Sequence, residues 1–423
     1  MPSQPSEPFT PPIVVVGVGE DGLAGVSSAA REAVERAEVL IGAPRQLALV
    51  REDAGVDAAV PAVAWPSPLL PGLASTLHPH RGSRIVVLAS GNPLYHGIAS
   101  TLIRECGSAS VKVVPTISSV TLACAYLGWK EDVTPVVSLV TRDAAEVVRY
   151  ADAGGRFVVL CRSAASVAAV AAVLKSLGHS ETRLIALSNL GGPRQAVSLG
   201  SVAEPPVAAS DLTVLAVDPV GARPPTRSLL PGLDDGHYAT TRGQLTKQDV
   251  RALSVCALAP RPGELLWDIG GGSGSIAIEW LRSTPGVTAR CFEADEHRAE
   301  LISSNAERLG VPHLKISGAA PLALQDRVEA GERPDVVFIG GGLTAPGVAE
   351  AAWAALKPGG RLVANAVTVE SEQALWALRR QYGGRLVRLA VDTEHAVGSF
   401  TTFKPALPVT QWRVTKDQAE KDT

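Results

Sequence analysis

Two glycine-rich stretches hold the residues of this sequence whose types and spacing could do chemistry. In the second half, Leu265-Leu-Trp-Asp-Ile-Gly-Gly-Gly-Ser-Gly-Ser275 runs from a strand-like apolar segment into a helix predicted over Ile276–Arg282. Glycines at such a turn (Gly270, Gly271, Gly272 and Gly274, with Ser273 among them) let the backbone approach a ligand closely at the carboxyl end of a sheet. An acid at the end of the next strand, about 20 residues on, would hold ribose hydroxyls. Glu293, in Cys291-Phe-Glu-Ala-Asp295, fits that place. The strand-end Asp268 separates the possible cofactors. A carboxylate touching the loop is awkward beside a pyrophosphate but suits a sulfonium and an amino group, so S-adenosyl-L-methionine fits better than NAD. The competing reading is a turn that needs glycine only for its backbone angles. The strand, loop, helix and distal acid, all in place, argue against it.

In the first half, Gly17-Val-Gly-Glu-Asp-Gly22 satisfies the dinucleotide spacing literally. Glu20 and Asp21 nevertheless sit where two phosphates would bind, and no acid ends a second strand about 20 residues later. An NAD-linked oxidoreductase is therefore the weaker alternative. Other segments stand out less. Thr246-Lys-Gln-Asp249 reads as a capping box opening a helix, and Thr246 could also face the ligand. Asp335-Val-Val-Phe-Ile-Gly-Gly-Gly342 ends a buried strand in three glycines, which suggests close approach of a bulky substrate or cofactor. Leu356-Lys-Pro-Gly-Gly-Arg-Leu-Val363 reads as a helix-to-strand turn. His78 and His80 lack nearby Cys or carboxylate partners, so a solvated loop is expected there and no metal site. His96 is a candidate for touching substrate, whereas core packing is expected for Trp65, Trp129 and Trp280.

The elements that must position these residues follow from the pattern of the whole chain. Its 423 residues are 46% hydrophobic and 19% charged, which at roughly 150 residues per domain predicts two or three domains with their own cores. A net charge of −3 leaves no basic excess for phosphates, which argues against nucleic acid as the main partner. The apolar run Ala164 to Leu174 contains Ser166 and stops at Lys175, short of the about 18 residues that a membrane span needs. Residues 1–12 have no positive n-region and no apolar core, so they are expected to form a disordered tail rather than a signal peptide. Five scattered cysteines suggest neither a disulfide framework nor a zinc site. A cytoplasmic enzyme is expected.

Short apolar strands recur with alanine-rich helical stretches between them, which predicts parallel sheets covered on both faces. Four prolines (Pro219, Pro224, Pro225, Pro231) between Asp218 and Gln244 mark a linker.

The second half resembles the decarboxylating precorrin methyltransferases of cobalamin biosynthesis. The likeness is carried by Gly243-Gln-Leu-Thr-Lys247, the Asp268–Gly274 loop, Gly318-Ala-Ala-Pro321, Phe338-Ile-Gly-Gly-Gly342 and Pro408-Val-Thr-Gln-Trp412. By that resemblance, Thr246, Gly270 to Gly274, Glu293 and Ala320 contact S-adenosyl-L-methionine. Ala319 stands where relatives often carry an acid, which leaves an adenine contact to the backbone. The first half is similar to the tetrapyrrole methylases through Gly17–Gly22, Ala89-Ser-Gly-Asn-Pro-Leu-Tyr-His-Gly97, Pro115-Thr-Ile-Ser-Ser-Val120 and Asn189-Leu-Gly-Gly-Pro193. Its implied cofactor-side residues are Gly17, Gly19, Gly91, Asn92, Pro93, Ser118 and Ser119. Asn92, Ser188 and Val140-Thr141 depart from the usual Asp, Glu and His-Gly.

Together the halves resemble the fused C5,15 precorrin methyltransferases. The implied fold is α/β: a tetrapyrrole-methylase domain of two α/β lobes over 13–217, a linker over 218–243, and a Rossmann-like class I methyltransferase domain over 244–423. The implied function is methylation of a reduced precorrin-6 at C5 by the first half and at C15 by the second. Loss of carbon dioxide from the ring-C acetate accompanies these transfers and gives precorrin-8. Homo-oligomers are implied as well. Arginines lining the clefts are expected to hold the substrate's carboxylates, with Arg242 as one candidate. An alternative leaves only the second half catalytic, with the first half docking substrate.

Overall fold

The computed structural model of the protein describes residues 7–53, 55–219, 226–241 and 245–417. They fall into two compact units. One holds the described residues up to 142 together with 155–219; the other holds 143–154 and the described residues from 226 onward.

The first unit is built on two five-stranded sheets. One contains β1 (Ile13–Val18), β2 (Val39–Gly42), β3 (Ala62–Ala64), β4 (Ile85–Ser90) and β5 (Val111–Val114) in the order β3-β2-β4-β1-β5. All four of its pairings are parallel. Alternation along β1, paired on both sides, explains its unbroken apolar sequence. Ile13 and Val15 enter one core cluster, while Val16 and Val18 enter the cluster on the opposite face. The strands β2 and β3, only four and three residues long, were not expected from the sequence.

The other sheet departs from the all-parallel expectation. It contains β6 (Val136–Ser138), β7 (Phe157–Leu160), β8 (Arg183–Ser188), β9 (Ala196–Ser201) and β10 (Thr213–Asp218), in the order β6-β7-β10-β8-β9. Only β6 and β7 pair in parallel; β10 runs antiparallel to β7 and β8, and β8 antiparallel to β9. The connection from β8 to β9 is too short for a parallel crossover.

The second unit is a seven-stranded sheet with helices on both faces. Its strands are β11 (Leu265–Ile269), β12 (Thr288–Phe292), β13 (Lys315–Ser317), β14 (Val336–Ile339), β15 (Arg361–Ala366), β16 (Arg385–Leu389) and β19 (Val409–Thr415); β17 (Asp392–Val397) and β18 (Phe400–Pro405) form a separate hairpin. The order β13-β12-β11-β14-β15-β19-β16 is parallel up to β15 and antiparallel around β19. Trp267, Trp280 and Trp412 are fully buried against this sheet.

Three segments differ from their expected boundaries. Residues 7–12 of the expected tail are anchored: Phe9 is buried, its backbone N–H donates to Ser110 Oγ at 3.1 Å, and the Arg81 guanidinium lies over its ring. Residues 1–6 lie outside the described residues, as do Pro224, Pro225, Arg242, Gly243 and Gln244. Within the expected linker, residues 226–241 belong to the second unit, because Leu233 and Tyr238 are core side chains. Residues 143–154, expected in the first domain, also belong to the second unit. The reason is electrostatic. Asp152 is the buried counter-charge to Arg227 Nε at 2.9 Å and Arg282 Nη1 at 3.0 Å, and Glu146 holds His313 Nδ1 at 2.6 Å.

The most buried ion pair of this unit joins Arg251, on the helix Gln248–Leu258, to Glu279, on the helix Ser275–Ser283, at 2.6 Å. Removing one partner leaves a desolvated charge. Glu279→Gln or Arg251→Leu is therefore expected to destabilise the unit by about 3–5 kcal/mol. The apolar double replacement Arg251→Met/Glu279→Leu should recover little of that loss, because the Gly232 and Leu233 N–H groups and the Tyr238 hydroxyl, which bond Glu279, are then left without a partner. Denaturant unfolding of the full chain measures both.

Candidate functional site

The carboxyl ends of β11, β12, β14 and β15 open into a cavity of about 1170 Å³ in the second unit. That exceeds the roughly 300–1,000 Å³ of an ordinary small-molecule site. Thr246, Gly270, Gly271, Gly272, Ser273, Glu293 and Ala320 all line it. Gly274 does not. It caps the helix Ser275–Ser283 in a left-handed conformation, where a Cβ would meet Ile302 at 2.8 Å.

The glycines divide their work. A Cβ on Gly270 would lie 2.6 Å from the backbone of Gly341, so the turns after β11 and β14 pack directly on each other. This accounts for part of the three-glycine run ending β14, for which the sequence suggested ligand approach. A Cβ on Gly271 would strike Cys291 Sγ, whereas Gly272, with φ +58°, has open space beside it. Gly272 is thus the position at which the loop presents bare backbone to the cavity.

Two carboxylates flank this loop. Glu293 Oε2 accepts from Gly272 N–H at 2.8 Å, and its Oε1 accepts from Asp295 N–H and from Arg298 Nη2 at 2.7 Å. Burial opposes ionisation of Glu293, but the bonds from Arg298 and the two backbone N–H groups outweigh it and hold the carboxyl below its ordinary range. Asp268 sits beneath the loop and accepts from Ala277 N–H at 3.1 Å. Burial, reinforced by the Glu293 charge and only partly offset by Ala277, pushes its carboxyl up to about 7. Cys291, raised mainly by burial, keeps its proton and donates to Asp268.

Thr246 is not a helix cap. The cap position falls at Lys247, which makes no side-chain capping bond, and the Thr246 carbonyl instead accepts from Arg251 Nη1 at 2.5 Å. The expected arginine lining is sparse. Among the described residues, the basic ones in this wall are Lys247, which faces Asp235 at 3.4 Å, and Arg298, already bonded to Glu293. Ala319 is exposed and outside the wall.

In the first unit a smaller cavity, about 370 Å³, is lined by Gly19, Gly91, Asn92, Ser118 and Ser119. Gly17 and Pro93 lie behind this lining. A Cβ on Gly17 would come within 2.0 Å of the Gly91 carbonyl and 3.1 Å of the Pro93 ring, so these residues pack the floor. Ser118 caps the helix Ser119–Leu127, accepting from Thr121 N–H at 3.0 Å. Asn92 Oδ1 accepts from Leu94 N–H at 3.0 Å, a turn-closing bond that an aspartate would make equally well. Ser188 is buried, pairs with Thr213 at 2.7 Å and stays out of the wall, whereas Val140 lies in it. Glu20, also in the wall, is buried and paired with Arg45 and, at 3.5 Å, with Arg194.

His96 reaches this cavity from a left-handed backbone at φ 54°. Burial first, then the Arg142 charge, lowers its pKa, which favours a neutral ring. His78 forms part of a turn at 78–80 and lies 6.2 Å from the Phe9 ring. Sequence reasoning missed Arg45, Gln46 and Trp65 in this wall. All three follow the short strands β2 and β3, whose recognition would have placed them at a sheet edge facing ligand. Trp65, expected in the core, is only half-buried.

The family model described as a precorrin methyltransferase domain matches residues 237–416, and that described as tetrapyrrole (corrin/porphyrin) methylases matches 12–206. A Mycobacterium tuberculosis protein named precorrin-6Y C(5,15)-methyltransferase (decarboxylating) is 43% identical over 408 residues, covering 96% of this chain and 100% of that protein. A Sinorhizobium protein of the same name is 41% identical, covering 97% and 98%. A solved precorrin-6Y C5,15-methyltransferase domain from Corynebacterium diphtheriae is 63% identical over 41% of this chain and 99% of its own, with a TM-score of 0.38. Among the described residues, no helix is long and apolar enough to cross a membrane.

The buried Asp268 gives a pH test. In the folded chain it keeps its proton up to about 7, whereas the unfolded carboxyl releases it near ~3.9. The native state therefore binds more protons between those values, and this residue's contribution to stability falls as pH rises through the window. Asp268→Asn should flatten the decline. Parallel denaturant titrations of both proteins at several pH values measure the difference in slope.

Proposed function

The chain belongs to the precorrin-6Y C5,15-methyltransferase (decarboxylating) family, and on that premise we propose that each unit binds S-adenosyl-L-methionine and methylates one bridge carbon of a reduced precorrin-6. In this reading the first unit acts at C5. The second acts at C15 and also releases carbon dioxide from the ring-C acetate. The observation that carries the reading is Glu293 fixed at the end of β12, bonded to the bare Gly272 N–H at the mouth of a cavity larger than a cofactor alone requires.

The residues present suit that cofactor. A glycine turn without side chains, an ionised acid whose Oε2 keeps a lone pair to accept from a ribose hydroxyl, and a second carboxyl under the loop suit a nucleoside with an amino-acid tail. When bound, S-adenosyl-L-methionine supplies a methyl group already activated by its sulfonium. The chain's own work is then to bind, orient and exclude water. Arg298 and the N–H groups of Gly272 and Asp295 hold Glu293 in one rotamer. Apolar wall residues such as Phe338, Val367 and Leu389 exclude water from the facing side.

In the first unit, Gly91 and Gly19 provide the equivalent bare backbone, and Asn92 keeps the turn that an aspartate would form. These features support an active site there rather than a docking scaffold. A cytoplasmic setting and a homo-oligomer belong to the same reading.

Calorimetric titration of S-adenosylhomocysteine into the full chain is expected to give two sites per chain. Glu293→Ala should weaken one of them roughly ten- to a hundredfold, the loss of hydrogen bonds to a charged group, and leave the other unchanged. Gly91→Val should do the converse. A single site sensitive only to Glu293→Ala would reduce the first unit to substrate docking. No binding by the unmodified chain would sink the methyltransferase reading.

A further inference from the structure

Across the larger cavity from Glu293, the end of β15 carries a polar side chain for which the binding of cofactor gives no role. Asn365 is half-buried and lines the wall. It pairs in register with Gln411 on β19. Behind it, Gln411 and Ser254 are wholly buried. Gln411 Nε2 donates to Asn365 Oδ1 at 2.8 Å and to Ser254 Oγ at 3.1 Å. Asn365 Nδ2 donates to Ser254 Oγ at 3.0 Å, and Ser254 Oγ donates to the Val250 carbonyl at 2.7 Å.

The direction of every bond in this chain is fixed from one end. Arg413 Nε, which can only donate, bonds Gln411 Oε1 at 2.6 Å. Gln411 must then turn its amide nitrogen inward, so Asn365 must turn its oxygen toward Gln411 and its nitrogen toward Ser254. A flipped Asn365 would set two N–H groups against each other. The Asn365 nitrogen has two hydrogens, and Ser254 takes one. The second is a neutral donor of fixed orientation, in a wall whose two cations among the described residues, Lys247 and Arg298, are already paired with Asp235 and Glu293.

We infer that Asn365 binds a carboxylate of the tetrapyrrole substrate, with Gln411 and Ser254 as positioning residues; this rests on the function proposed above for the second unit. A donor calls for an acceptor, and the acceptors on such a substrate with most hydrogen-bonding power are its side-chain carboxylates. Neutrality matters for a carboxylate that is to leave. Its charge disperses as the carbon–carbon bond breaks, so a cation would stabilise the bound ground state more than the transition state. A carboxamide orients the group without that penalty.

The test uses the full chain with S-adenosylhomocysteine bound, titrated with reduced precorrin-6 and followed by tetrapyrrole absorbance. Asn365→Leu should weaken tetrapyrrole binding roughly ten- to a hundredfold while the affinity for S-adenosylhomocysteine stays unchanged. The near-isosteric Asn365→Asp, which sets a carboxylate against a carboxylate, should weaken it at least as much. Gln411→Glu offers Asn365 an acceptor in place of a donor and reverses its amide, so it should reproduce the selective loss without touching the cavity. If these variants lose thermal stability but bind tetrapyrrole within about twofold of the unmodified chain, the cluster only fixes the register of β15 and β19, and the inference is overturned. An unmodified chain that binds S-adenosylhomocysteine but no tetrapyrrole would remove this inference and the proposed substrate together, leaving cofactor binding intact.

Discussion

The pairing of Arg251 with Glu279 is the constraint on which the larger site depends. Arg251 gives hydrogen bonds to Glu279, to Asp235 at 3.0 Å, and to the carbonyls of Thr246 and Leu233. Glu279 accepts in return from Gly232 N–H at 2.6 Å, Leu233 N–H at 3.1 Å and Tyr238 OH at 3.0 Å. Every one of these partners outside the two helices lies between Gly232 and Thr246, where the described residues hold only the short turn Asp235–His237. A buried ion pair is weak support for stability when taken alone. Here its spare donors and acceptors are spent on main-chain groups, which converts the cost of desolvation into a fixed path for the chain. Thr246, Asp235 and Lys247 reach the cavity because of that path.

The loop at the sheet ends obeys a second constraint, one of space. The turns after β11 and β14 approach so closely that Gly270 has no room for a larger residue against the Gly341 backbone. Cys291 fills the volume under Gly271, and its thiol bonds the carboxyl of Asp268. The raised Asp268 and the lowered Glu293 are consequences of the same packing. One carboxyl is enclosed beneath the loop, where a single N–H group and a weak thiol donor do not offset the burial of its charge. The other emerges at the rim, where Arg298 and two N–H groups reach it. Two acids only a loop apart are thereby given opposite protonation tendencies.

Much of this was legible in the sequence where local chemistry dictates structure. The buried strands announce themselves as continuous β-branched runs, and a glycine loop between strand and helix, followed by an acid at the next strand end, is a pattern with a mechanical cause. Short elements were not legible. Val39–Gly42 and Ala62–Ala64 carry too few residues for periodicity, and with them went Arg45, Gln46 and Trp65. The prolines before Gln244 suggested a linker, yet they say nothing about Leu233 and Tyr238, whose burial is decided by residues far along the chain. For segment 143–154, the neighbours in sequence point to the first domain. Its actual place is decided by Arg227 and Arg282, two cations that need Asp152 for charge balance.

The two cavities reach a similar arrangement from unrelated chain segments. In each, a glycine turn follows an interior parallel strand, and an acid beside that turn is held by an arginine: Glu20 by Arg45 in one, Glu293 by Arg298 in the other. They differ in what the acid follows. Glu293 ends the neighbouring strand and bonds the turn's own N–H, so it is oriented toward whatever occupies the loop. Glu20 lies within its turn, and Arg45 is tied in addition to Ser90 Oγ at 2.8 Å, so that pair spans from the turn after β1 to the end of β4. An acid inside the turn excludes a pyrophosphate from the position that the glycine spacing alone would offer it. The same six-residue spacing therefore describes a dinucleotide loop in one electrostatic setting and its opposite in another. What separates them is the sign of the side chains between the glycines.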